Sequence, residues 1–245
     1  MPSGTACQTP GVFNMKIENV LSAKGVAFIA LFTALAVAAS NINFSQVLGA
    51  PNQTFTFFQF MGPIAGGFLG AGAGILSVLL AQVVSFVWLG KSLELINILR
   101  LAPMLFAALY FAKYAKGKII QAAVPLICMA LFMLHPIGSQ AWYYSLYWLI
   151  PAIALALPEH LFLRSLGATF TAHAIGGIIW LYFIPTTPAF WLALIPIVAF
   201  ERTLFAAGIS VSYVAFNTLF SRVDALAKSG ILTIDRRYVL FAQRS

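Results

Sequence analysis

The chain contains apolar stretches too long and too poor in charge to be covered by water. Residues 119–135 and 189–219 are continuous apolar runs rather than alternating patterns. Backbone N–H and C=O groups placed in lipid need partners inside the chain, which leaves helices or a closed barrel. A barrel strand would alternate apolar and polar residues, so these runs read as helices. Composition agrees: 61% of the 245 residues are hydrophobic and 8% are charged. Mean hydropathy is +0.93. Soluble domains carry about 25% charged residues. The sequence therefore predicts an all-α integral membrane protein, a polytopic bundle of six to eight transmembrane segments.

The apolar segments fall at 25–40, 55–69, 71–89, 95–113, 119–135, 143–157, 166–184 and 189–219. The formal charge of +8 is read as orientation rather than nucleic-acid binding, because Lys and Arg on cytoplasmic loops fix topology. Lys16 and Lys24 flank the first segment, Lys113, Lys116 and Lys118 share a loop, and Arg222, Lys228, Arg236, Arg237 and Arg244 crowd the C-terminal stretch. With all three groups inside, 55–89 must turn back on itself. Gly62-Pro63 and the run Gly66, Gly67, Gly70, Gly72, Gly74 offer the break, expected near residue 62. The domain reading is a disordered tail over 1–15, one membrane domain over 16–220 and a basic cytoplasmic tail over 221–245. Both termini are expected in the cytoplasm of a multi-pass plasma-membrane protein.

Polar groups at membrane depth are costly and become functional candidates. Asn41, Asn43, Ser45, Gln46, Asn52 and Gln53 crowd the outer connection after the first segment, a roof for a ligand. Gln59 follows it. Thr169 and His173 are four residues apart on one helical face, and Trp142, Trp148 and Trp180 could supply flat apolar walls. The expected ligand-binding set is Asn41, Asn43, Gln59, Thr169, His173 and Trp180. Glu159 and Arg164 are expected to pair locally. Glu201 and Arg202 point about 100° apart, so they need not pair with each other, and each faces the interior or a polar cavity. Ala30, Ala34 and Ala38 form a small-residue stripe that suits close helix approach, either to a partner or within the chain. Cys7 and Cys128 lie far apart, and the three histidines lack metal-ligand spacing. Neither a metal nor a cofactor is expected. No nucleotide-binding or catalytic motif is present, so no enzyme activity is expected and any uphill movement draws energy from elsewhere.

The alanine stripe, the polar outer loop and the stretch Phe60-Met61-Gly62-Pro63-Ile64-Ala65-Gly66-Gly67-Phe68-Leu69-Gly70 together resemble the substrate-binding S components of energy-coupling factor (ECF) transporters, over about the first 115 residues. The resemblance implies a six-helix bundle, an outward ligand pocket for a vitamin-like molecule, and partners comprising a transmembrane coupling protein and ATPase subunits. It implies that Ala30, Ala34 and Ala38 contact the coupling protein. The chain departs from the nickel and cobalt members in having no histidine before His135, which argues against those cargoes, and its later segments exceed what six helices need. A substrate-capturing subunit of an importer is the leading expectation. A stand-alone secondary transporter or channel, or a structural membrane subunit, is the alternative. Cysteines introduced in the Lys113–Lys118 loop and in the basic tail should label from the same side of the membrane. Labelling from opposite sides would remove the basis for the turn within 55–89.

Overall fold

The computed structural model describes residues 22–46, 54–112, 118–227 and 230–240. The tail over 1–15, Lys16, Cys7, Asn52, Gln53, Lys113, Lys116, Lys228 and Arg244 lie outside them. Helix α1 (Ala23–Ser40) starts where the Ser22 side chain accepts the Gly25 N–H at 3.1 Å, a standard N-cap. A short hairpin follows, so the fold is not purely helical. Its strands β1 (Asn43–Gln46) and β2 (Thr54–Thr56) pair antiparallel, with Asn43 opposite Thr56 and Gln46 opposite Thr54. The remaining helices are α2 (Phe58–Trp88), α3 (Leu95–Leu99), α4 (Ala102–Phe111), α5 (Lys118–Leu134), α6 (Pro136–Gln140), α7 (Leu149–Ala156), α8 (Leu161–Phe183), α9 (Pro188–Arg222) and α10 (Asp224–Ala227). Tight 3-10 turns cover Trp142–Trp148 and Arg236–Tyr238.

Among the described residues, three helices are long and apolar enough to cross a membrane: α2, α8 and α9. Shorter apolar helices span Gly25–Ser40, Leu95–Phe111 and Lys118–Leu134. The architecture is compatible with a membrane-embedded helical bundle.

Helix α2 is two limbs. Gly70 has φ 76° and ψ 177°, a region essentially reserved for glycine. A Cβ built on Gly74 would lie 2.7 Å from the Gly66 Cα. In a straight helix those residues would stand about 12 Å apart, so the chain reverses at Gly70. The expected break near residue 62 is therefore corrected. Gly62 and Pro63 sit inside the first limb, past its first turn.

The first limb packs directly on α4. A Cβ on Gly66 would collide with the Ala108 carbonyl, and one on Gly67 would come within 2.9 Å of the Phe111 ring. Apolar burial gives helices little reason to associate in lipid, so close packing of small residues has to hold them. Gly62 faces Met104, which makes the limb and α4 parallel. Helices α8 and α9 run antiparallel, with Ser165 beside Ser210 at 2.9 Å and Thr169 beside Arg202.

The end of the bundle away from the hairpin is closed by residues 230–240. The Thr233 N–H donates to the Phe68 carbonyl at 2.9 Å. Asn217 donates to the Asp235 carbonyl at 2.7 Å and accepts the Asp235 N–H at 2.9 Å. The Tyr238 ring lies against Tyr213, so the 238–240 stretch docks rather than forming a strand. Arg237 binds Asp235 and Glu159, and their carboxylates raise its guanidinium above its usual value. The expected Glu159–Arg164 pair is not made: Arg164 donates to the Phe111 carbonyl and lies over the Phe111 ring, 4.0 Å from its centre.

Gly66→Ala should lower stability in detergent by about 1–3 kcal/mol through overpacking. Gly72→Ala, where an added methyl meets nothing within 4 Å, should change it by well under 1 kcal/mol. Equal thermal unfolding of the two variants would show that the limb–α4 contact is not tight.

Candidate functional site

Two aromatic clusters frame a cavity of about 340 Å³ at the hairpin end of the bundle. The roof is β2. Phe55 lies against Phe205 at 5.0 Å, and Phe44 against Phe60 and Phe205 at 5.0 and 5.3 Å. Gly208 makes room for the Phe60 ring. These contacts seat the hairpin on α2 and α9, with Thr54 and Phe55 facing the cavity.

One wall comes from α8. Gly176 and Gly177 expose helix backbone there, and a Cβ on Gly177 would come within 2.8 Å of the Trp148 ring. Beside them, His173 has both ring nitrogens engaged. The Trp148 indole N–H donates to Nδ1 at 3.0 Å, and Nε2 lies 2.9 Å from the Tyr144 hydroxyl. An indole can only donate. Nδ1 must therefore be the unprotonated nitrogen, the imidazole proton sits on Nε2, and Nε2–H donates to Tyr144. The Tyr144 oxygen is thus an acceptor, and its own hydrogen is left to donate elsewhere. Trp148 is 0% and Tyr144 1% exposed, which holds this chain of three groups rigid.

The opposite wall is α9. Arg202 is 4% exposed. Its Nη2 donates to Glu201 at 2.9 Å, its Nη1 reaches Thr169 Oγ1 at 3.5 Å, and its Nε is buried with no hydrogen-bond partner. The guanidinium is stacked between Phe205 and the roof residue Phe55, 4.2 and 5.0 Å from their centres. The adjacent pair that needed no mutual contact does bond, because both side chains turn toward the cavity. Near the mouth, Arg100 lies over the Trp180 ring at 5.6 Å and Gln82 donates to the Leu101 carbonyl at 3.0 Å.

Gln59, His173 and Trp180 therefore converge on one cavity. Asn41, Asn43 and Thr169 do not. Asn41 donates its amide to the Val37 carbonyl at 2.8 Å. Asn43 accepts from the Thr54 hydroxyl at 2.8 Å, pinning the hairpin register. Thr169 is buried behind Arg202. Trp142 is half exposed, away from the cavity, and Trp148 stands behind His173. Sequence reading missed Tyr144, Trp191 and Arg100. An arginine at the start of the apolar 95–113 segment was the one available signal for the last of these. Ala30, Ala34 and Ala38 are all exposed, so the stripe does not serve packing within the described chain.

No family model, curated protein or solved structure matches the chain. The functional reading therefore rests on the residues themselves.

His173→Ala should cost about 1–3 kcal/mol in ligand-free detergent by leaving buried partners unmet. Trp148→Phe should cost less once His173 is already alanine, because the two share one hydrogen bond. Strictly additive losses in denaturant unfolding would show that the bond is absent.

Proposed function

We propose that this chain is the substrate-capturing membrane subunit of an importer for a small organic molecule, with energy supplied by other chains. The carrying observation is the roofed cavity that joins buried charge to aromatic walls. Such a site is costly inside an apolar bundle unless a ligand uses it.

Orientation supports the same reading. With the basic 221–245 stretch cytoplasmic, α9 ends inside, and its first turns, which carry Trp191, lie outside. The cavity then opens to the outer half of the membrane. The Gly70 reversal gives eight passes: α1, the two α2 limbs, the α3–α4 unit, α5, the 142–156 stretch, α8 and α9. Both ends are then cytoplasmic at the plasma membrane. The exposed stripe of Ala30, Ala34 and Ala38, flanked by exposed Leu31 and Leu35, offers a shallow surface to a transmembrane coupling protein. The stripe suits the resemblance to ECF S components, whose ATPases would act through that partner, while eight passes exceed the six helices that the resemblance implies.

Purification from the native membrane in mild detergent, followed by mass spectrometry, tests the reading. The expected result is one low-mass organic compound retained in near-stoichiometric amount, together with a coupling protein and ATPases. Ion-driven uptake by the chain alone in liposomes would identify a stand-alone transporter instead.

A further inference from the structure

We infer that the cavity takes a small flat organic anion, with its carboxylate held by Arg202 and the Tyr144 hydroxyl and its ring against Trp180 and Trp191. The inference deepens the capture reading and rests on the same cavity. Three independent observations converge on it.

The first is charge. Lys91, Arg100 and Arg202 face the cavity with a positive sign, and Glu201 alone among the described lining residues is negative. Glu94 offsets Arg100 from outside the wall. A positive balance remains, which favours an anion in a poorly solvated space. The deep Arg202 already shares its charge with Glu201. One carboxylate suits that pair, whereas a doubly charged group would meet repulsion from Glu201.

The second is unmet donors. A guanidinium carries five N–H donors, and burying one without an acceptor is unfavourable. Arg202 Nε is in that position, and the Nη1 contact with Thr169 stands at the 3.5 Å limit of a hydrogen bond. From the other wall, the Trp148–His173–Tyr144 chain fixes the imidazole proton on Nε2 and leaves the phenol hydrogen available. Arg202 and Tyr144 thus present donors to one space, and a planar oxyanion answers both.

The third is shape. About 340 Å³ is at the lower end of the roughly 300–1,000 Å³ usual for small-molecule sites. Trp180 and Trp191 give flat walls, and Gly176 leaves the α8 backbone bare beside them. A ring fits this space better than a branched body.

The test is calorimetric titration of the full chain in mild detergent. The probes are benzoate and phenylacetate, each against its own amide, with laurate as a carboxylate that lacks a ring. Each aromatic acid should bind at least about tenfold more tightly than its amide and more tightly than laurate. The double change Glu201→Gln/Arg202→Gln, which keeps both side chains polar and removes both charges, should abolish the preference for the acid. Tyr144→Phe should weaken acid binding several-fold, and it carries the test if the double variant does not fold. Equal affinity for acid and amide, no saturable binding of either acid to millimolar concentration, tighter binding of laurate, or a preference that survives the double change would each overturn the inference. Acid selectivity in a chain that supports no uptake with its partners would leave this inference standing and remove the importer reading. Uptake of a neutral compound by the intact importer would do the opposite.

Discussion

The bundle depends on one close approach of backbone to backbone, where Gly66 of the first α2 limb meets Ala108 of α4 and Ala112 just past its end. Between apolar helices in lipid, burial of side chains provides no driving force comparable to that in water. Attraction must come from many short contacts, and those require small residues at the crossing. Gly66 and Gly67 provide them against α4, and Gly74 of the second limb packs in turn on Gly66. Once the limb and α4 are locked, Tyr110 is held so that its hydroxyl can donate to the Pro151 carbonyl at 2.7 Å. That bond ties the 142–156 stretch to the core. The same α3–α4 unit carries Arg100 onto Trp180 at the cavity mouth. The site is therefore downstream of glycines that never touch it.

Both ends of the molecule bury a guanidinium group against aromatic rings. At the closed end, Arg164 donates to the Phe111 carbonyl, lies over the Phe111 ring and keeps an unmet Nη1. At the hairpin end, Arg202 is likewise stacked on rings and keeps an unmet Nε, yet it borders open volume. Aromatic faces stabilise a partly desolvated cation, but they accept no conventional hydrogen bond. The difference between the ends is the open volume beside Arg202, which Arg164 lacks.

Much of this architecture was legible in the sequence. Segments at 119–135 and 189–219 match α5 and α9 to within a few residues because continuous apolar runs have few alternatives in lipid. Charge clustering required a reversal inside 55–89, and the glycine run marked its neighbourhood. It could not single out Gly70, because proline and glycine both suggest a break and only the tertiary contact of Gly66 with Gly74 selects one. His173 was legible as an ionisable group inside an apolar segment. Asn41, Asn43 and Thr169 do not line the cavity for a shared reason: short polar side chains find local backbone or neighbouring side chains first, and sequence does not show those partners. Tyr144 was invisible because its role depends on a proton position fixed by Trp148.

The bond from Thr233 to the Phe68 carbonyl has a consequence for assembly in time. A carbonyl at the end of the first α2 limb, made early in synthesis, receives this partner only after residue 233 has emerged. Until then that end of the two α2 limbs stays uncapped, and Ile231 and Leu232, later 3% and 7% exposed, have not yet been made to cover it. Contacts of such long sequence separation form late and slowly. Growing chains would thus pass through a stage in which the early helices are inserted but unsealed, and closure of the bundle would mark the completion of α9.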